Sequence, residues 1–380
     1  MIPLSRPCLD NAERDAVVRV LESGWLAHGP LNREFEEAFA RLIGVEHAVS
    51  LNSCTSALHL AIEALGLDGE VVVPSFTFVA SANAVFTAGA TPVFADIDEA
   101  TRNVDAQTIE AALTERTQAI MPVHFGGQAC DMRAIVELAN RRGLVVIEDA
   151  AETIGGTCDG QVAGSFGIAG CFSFFPTKNL TTGEGGMLVT DDDELAARVR
   201  SLSAHGISTH TVDREKAERP WYRAAELPGY NFRMSQVLAA IGVEQVGKLA
   251  AMNGRRRDHA RFLDGALDGE VMVLPVERPN RMHVYQMYTV QVDTGFRDAF
   301  VRELRDLGVA ASVHFDPPVH VQPCYRERWP GLRLPVTEKV SASIVTLPLY
   351  PHMTDAELET MAETVNACAR RLTASAGVAR

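Results

Sequence analysis

The chain has 380 residues and a formal net charge of −14, from 35 basic against 49 acidic side chains. That balance leaves no basic face for phosphate neutralisation, so neither nucleic acid nor an anionic membrane is expected as a partner. Its 47% hydrophobic content is that of a globular protein, and its length exceeds what one core usually supports, so two domains or one large α/β domain with an appendage are expected.

No apolar run approaches the roughly 18 residues of a membrane-spanning helix. The opening MIPLSRPCLDNAERDAVV lacks a basic start followed by an apolar block, so no signal peptide is expected. The seven cysteines are odd in number, scattered and without a CxxC pair, which reads as reduced thiols in a cytoplasmic protein.

In chain order, the candidate strands are HAVSL (47–51), EVVVP (70–74), TPVFADI (91–97), AIMPVHF (119–125), LVVIEDA (144–150), CFSFF (171–175) and GMLVT (186–190). Most are continuous apolar runs, the mark of strands buried on both faces. Between them lie helical patterns. In TSALHLAIEAL (55–65) Leu58, Ala61, Ile62 and Leu65 recur at helical spacing; DMRAIVELANRRG (131–143) opens on an Asp cap and stops at glycine; ELAARVRSL (194–202) reads the same way. The alternation predicts an α/β fold with a mostly parallel, doubly wound sheet over residues 1–250. Residues 251–380 change texture: the end of a long helix, the strand YQMYTVQV, the helix FRDAFVRELRDLG, a Pro/His-rich loop and a final helix from Asp355 predict a smaller α+β domain.

Three short segments carry chemistry. The apolar run LVVI ends in Glu148 and Asp149, and ligands collect at the carboxyl ends of parallel strands; the plainer reading of an acid there is a helix cap or a loop ion pair. Lys178 follows CFSFF after a Pro-Thr turn and is one of four lysines in a chain with 31 arginines. An amine in apolar surroundings loses solvation and becomes available as a nucleophile, which arginine cannot do at neutral pH. The plainer reading is a surface lysine on a glycine-rich turn. NSCTSALHL places Ser53, Cys54, Thr55 and Ser56 where a strand passes into a helix. Hydroxyls and free N–H groups there make a phosphate site, or simply an N-cap. No GxxxxGK[ST] stretch is present. Together a phosphate cradle, a strand-end carboxylate and a desolvated lysine are the kit for pyridoxal phosphate.

The segments SGWLAHGP (23–30), VPSFTFVASANAV (73–85), EDAAE (148–152), FSFFPTKNLTTGEGG (172–186) and GYNFRMSQVLAAIG (229–242) resemble, in order and spacing, the DegT/DnrJ/EryC1/StrS family of pyridoxal-phosphate aminotransferases acting on keto sugars. The resemblance runs from about residue 2 to residue 360. It implies the aspartate-aminotransferase fold (a seven-stranded large domain and a smaller C-terminal one) working as a homodimer. Lys178 matches the Schiff-base lysine and Asp149 the partner of the pyridine nitrogen. Ser173 matches a phosphate-binding serine, the 53–55 turn the phosphate cradle, and Phe78 the aromatic that stacks on the cofactor ring, unless it is a core phenylalanine. Asn231 resembles a residue that reaches the phosphate of the other subunit. Trp25 and His28 match a segment lining the substrate opening, although Trp25 also suits a packing anchor. His320 matches a loop near the substrate, or is a solvated loop histidine. Position 152 departs from the pattern: relatives usually carry Gln or His, and the carboxylate of Glu152 beside the ring's phenolic oxygen is repulsive unless protonated or turned away. His205, His210, His314 and His320 show no zinc-ligand spacing, so no metal is expected.

Because Lys178 is kept, where some relatives carry histidine and dehydrate or deoxygenate sugars, amino transfer is expected. The leading reading is a nucleotide-sugar aminotransferase for a 4-keto or 3-keto hexose, with glutamate or glutamine as donor. A keto-inositol aminotransferase making an aminocyclitol shares the same motifs. A cofactor-binding regulator without turnover is the reading from another class; it would carry a DNA-binding segment or lack the catalytic groups.

Overall fold

Apolar runs too continuous to face water on either side become the centre of a sheet. In the computed structural model, which describes residues 1–207, 221 and 224–378, the strands β1 (His47–Leu51), β2 (Glu70–Pro74), β3 (Thr91–Ala95), β4 (Thr117–Ile120), β5 (Val145–Asp149), β8 (Ala169–Ser173) and β9 (Gly186–Thr190) form one sheet of seven in the order β1-β9-β8-β5-β4-β2-β3. Two short strands between them, β6 (Thr157–Cys158) and β7 (Gln161–Val162), form a hairpin that pairs with β10 (Arg281–Met282). β2 and β9 are buried at every residue.

The five strands from β8 to β3 are parallel, while β9 runs antiparallel to both β8 and β1. β4 ends at Ile120, short of the expected residue 125, because Pro122 has no N–H to continue a ladder. β8 ends at Ser173, and Phe174 and Phe175 leave the sheet.

Helices cover the sheet. They are α1 (Asn11–Ser23), α2 (Pro30–Ile43), α3 (Cys54–Ala64), α4 (Val79–Thr87), α5 (Ala106–Ala112), α6 (Met132–Arg142) and α7 (Asp193–Ser203). Asp10 and Glu13 close a capping box on α1, Asp131 caps α6 and Gly143 ends it in the left-handed conformation. α8 (Gln236–Ala266) is a single helix of 31 residues. The expected divide at residue 250 falls inside it. Beyond it come β11 (Tyr288–Gln291), α9 (Arg297–Asp306), α10 (Pro323–Arg326), α11 (Pro335–Ser343), β12 (Ile344–Leu347) and α12 (Asp355–Val378). β11 and β12 pair antiparallel over a second core that includes Tyr288, Phe300, Leu304, Tyr350 and Met361. Residues 2–4 join this C-terminal part: Ile2 bridges Val309, and Leu349 N–H donates to Leu4 O. No described helix is long and apolar enough to cross a membrane.

An aromatic cluster fixes α2 on the sheet. Phe39 packs edge-on against Phe172 at 4.9 Å and Phe174 at 5.4 Å, and Phe35 lies 5.1 Å from Phe174. All four rings are fully buried, and two of them belong to the chain that leads to Lys178. Phe39→Ala is expected to lower stability by about 3–5 kcal/mol in a urea unfolding experiment, because the cavity cannot collapse between helix and sheet.

Candidate active site

The carboxyl ends of the parallel strands hold the expected site. Asp149, the last residue of β5, is 4% exposed. Its Oδ2 accepts from Ser81 Oγ at 2.7 Å and its Oδ1 from the Ala151 N–H at 3.1 Å. Burial raises the pKa of Asp149; the two hydrogen bonds and Lys178 oppose the rise, and the Glu152 carboxylate adds to it. The preceding residue points to the opposite face. There Glu148 accepts from His124 Nε2 at 2.9 Å and from the N–H groups of Gly164, Phe166 and Gly167 at 2.6–2.8 Å. His124 Nδ1 accepts from the Cys130 N–H, so the ring proton sits on Nε2 and is donated to Glu148.

Ser53 caps α3, its Oγ accepting from Ser56 N–H at 3.1 Å. The cap and the cradle are one structure: Ser53, Cys54 and Thr55 also line a cavity of about 640 Å³ at the helix N-terminus. Burial pushes the Cys54 thiol well above its ordinary pKa, so it remains a thiol there. Gly186, paired with Leu51, backs this turn so closely that an added Cβ would overlap the Ser53 carbonyl carbon and the Cys54 nitrogen.

Lys178 lies in the segment 174–185 that reverses the chain between β8 and β9. Its surroundings are not purely apolar, which corrects the expectation: Nζ donates to Glu152 Oε1 at 3.2 Å. Glu152 is also buried, and its Oε2 accepts from the Gly126 N–H at 2.9 Å. Both neighbours of the lysine are held by the C-terminal half of the chain. Gln286 Nε2 donates to Thr177 O at 3.0 Å, and Asn179 Nδ2 donates to Asn253 Oδ1 at 2.6 Å and Val284 O at 3.0 Å.

The cavity brings Ser53, Cys54, Thr55, Phe78, Asp149, Glu152, Ser173 and Lys178 together. Phe78 is 62% exposed on its wall and is not a core residue. Four expected residues lie elsewhere in the chain. Trp25 Nε1 donates to His28 O, and each of the two lines a separate groove. Asn231 is exposed, and its Oδ1 accepts from Arg233 Nε. His320 is neither solvated nor on the cavity wall: it is 2% exposed, with Nδ1 2.6 Å from Ser75 Oγ and Nε2 3.4 Å from Glu338. His314, weighed only as a metal ligand, lines the cavity with Nδ1 2.8 Å from Thr346 Oγ1, and burial lowers its pKa. His210 lies outside the described residues, among which no group of three or more His, Cys, Asp or Glu could hold a metal. Ser81, Gln286, His314 and Phe315 are wall residues that the sequence did not single out for this site; VPSFTFVASANAV, already singled out for Phe78, contains Ser81 two residues into the helix.

The sequence profile of the DegT/DnrJ/EryC1/StrS aminotransferase family matches residues 7–366. The chain belongs to that family. It is 42% identical over 375 residues to the spore coat polysaccharide biosynthesis protein SpsC of Bacillus subtilis, covering 96% of each chain. The aminotransferase TlmJ from Streptoalloteichus hindustanus superposes with a TM-score of 0.90 at 36% identity, over 98% of this chain and all of TlmJ. Spr1654 from Streptococcus pneumoniae, known in PLP and PMP forms, gives 0.92 for the PMP form at 28% identity over 98% of this chain and all of Spr1654. This family member is therefore a pyridoxal-phosphate-dependent aminotransferase. Its own residues fit that cofactor. A buried carboxylate, a half-buried amine and a helix N-terminus rich in hydroxyls converge on one cavity, and Gly186 leaves room for the turn that a side chain would displace.

Gly186→Ala is expected to weaken pyridoxal-phosphate binding about tenfold or more in an equilibrium titration, because the overlap must push β9 and the α3 N-terminus apart.

Proposed function

We propose that this aminotransferase moves an amino group from glutamate or glutamine to a keto sugar, most simply a nucleotide-linked 4-keto or 3-keto hexose, in amino-sugar biosynthesis. The observation that carries the reading is Lys178 Nζ, half-buried and paired with Glu152, in the cavity that Asp149 also lines. The relative SpsC, named for polysaccharide synthesis, supports a sugar acceptor. So does the wall itself. Phe78, Phe175 and Phe315 offer faces for the C–H side of a ring, and Glu184 and Asp316 offer acceptors for hydroxyls.

When bound, the cofactor supplies an aldehyde that takes the amino group and a ring that absorbs electrons. Lys178 Nζ would hold the cofactor's aldehyde carbon and, when free, would be the base that takes the proton from the donor Cα and the acid that returns it. Asp149 would hold the ring nitrogen and keep it protonated. Ser53, Thr55, Ser173 and the amides that open α3 would hold the phosphate without a cation. Glu152 receives the Lys178 amine when it is free. The reverse sequence delivers the amino group to the keto acceptor.

We further infer a homodimer in which Asn231, exposed and outside its own cavity, serves the phosphate of the second copy. Seven unpaired thiols support a reducing, cytoplasmic setting. One observation favours the cyclitol alternative. Lys178 is the sole lysine or arginine among the described residues lining the cavity, so a nucleotide diphosphate would find no further cation there.

Mixing the apoprotein with pyridoxal phosphate is expected to give a visible absorption band that glutamate or glutamine removes. Lys178→Ala is expected to show no such band and to lose turnover by about 10²–10⁴-fold from proton transfer alone. Titrating the amino-loaded enzyme with keto sugars and keto-inositols, with and without a nucleotide, separates the two acceptors. A band that no donor shifts overturns the aminotransferase assignment of these residues.

A further inference from the structure

Asp149 is backed by two hydroxyls. Ser81, in the first turn of α4, places Oγ 2.7 Å from Asp149 Oδ2, and Thr77 Oγ1 lies 2.9 Å from Ser81 Oγ. Thr77 is 2% and Ser81 1% exposed, so water does not compete for these bonds. The direction of the chain follows from proton counting. A hydroxyl carries one proton and an ionised carboxylate only accepts, so Ser81 donates to Asp149 and is left to accept from Thr77. The Ala151 N–H takes the other oxygen. Every donor therefore ends on the carboxylate. A neutral Asp149 with its proton on Oδ2 meets the Ser81 hydroxyl head-on and must turn both hydroxyls round. Aligned donors of this kind strengthen one another in a dry interior.

We propose that Ser81, backed by Thr77, is a positioning residue that keeps Asp149 ionised and aimed, so that its charge is already in place when the cofactor's ring nitrogen arrives. The proposal rests on the reading of Asp149 as that nitrogen's partner. The need for such a device is visible in what faces Asp149. Burial and the Glu152 carboxylate both push its proton affinity up. Lys178, from the 174–185 segment, opposes them but is held at 3.2 Å by Glu152. The remaining titratable neighbours, the Cys54 thiol on α3 and the Cys171 thiol on β8, are kept protonated by burial and bring no charge. Ser81 is the side chain that donates to Asp149.

The test is a titration of apoenzyme with pyridoxal phosphate over a series of pH values, read by visible absorbance, for wild type, Ser81→Ala, Ser81→Thr and Thr77→Val. Removing a charge-assisted hydrogen bond is worth about one pK unit. Ser81→Ala is therefore expected to displace the curve of Kd against pH upward by about one pH unit. Binding is then about tenfold weaker at the acid end and converges with wild type as pH rises through the carboxylate range. Apoenzyme stability checks the sign. A carboxyl whose folded pKa is raised loses stability as pH rises through that value. The deficit of Ser81→Ala should thus open with rising pH and close below the ordinary carboxylate range. Ser81→Thr restores the wild-type curve, and Thr77→Val gives a smaller displacement in the same direction. Weakening that is equal at every pH, or that Thr does not rescue, overturns the proposal. If Ser81→Ala does not fold by far-UV circular dichroism, the Thr77→Val displacement decides alone. Asp149→Asn separates the two levels. If it binds like wild type, the reading of Asp149 fails; if it is weakened while the Ser81→Ala curve coincides with wild type, only the role of Ser81 fails.

Discussion

A carboxylate with no exposed surface sets the end of β5. Glu148 receives four donors on two oxygens, one from His124 and three from the backbone of residues 164–167. Burying a charge is costly unless its lone pairs are met, and here they are. Because neighbouring strand residues point to opposite faces, fixing Glu148 on one side orients Asp149 on the other. His124 extends the same network, its carbonyl accepting from Thr153 Oγ1 and its ring from the Cys130 amide. The floor of the cavity is thus held by hydrogen bonds among the chain's own groups.

The second constraint is a change of direction. β8 runs parallel to β5, but the next strand returns antiparallel. A parallel successor would need a crossover that carries the chain to the far end of the sheet. The antiparallel turn instead keeps residues 174–185 above the carboxyl ends, where Asp149 and the α3 N-terminus already lie. Lys178 is therefore placed by topology, and Gln286, Asn253 and Val284 then lock its flanks from the C-terminal half.

What could be read from the sequence follows the range of the interactions. The strands were legible because double-sided burial leaves a continuous apolar run, and Asp149, Lys178 and Ser53 because each sits next to such a run in sequence. Ser81 was not, since a serine on an alanine-rich helix looks like any other until Asp149, 68 residues away, is brought to it. The same holds for Glu152, whose pairing with Lys178 spans 26 residues and turns an apparent mismatch into an ion pair. His320 shows the converse error. A Pro/His-rich loop reads as solvated, but Ser75 and Glu338, both distant in sequence, enclose the ring. Trp25, His28 and Asn231 stand outside the cavity, a placement that no local pattern encodes.

Residues 2–4 are stitched to Val309 and Leu349. Residues 2–4 therefore stay unpaired until Val309 and Leu349 have been made. A C-terminal fragment begun at α8 would lack this edge, and the small unit is not an autonomous piece of chain. Anything that displaces residues 2–4 therefore disturbs the surface of the C-terminal part.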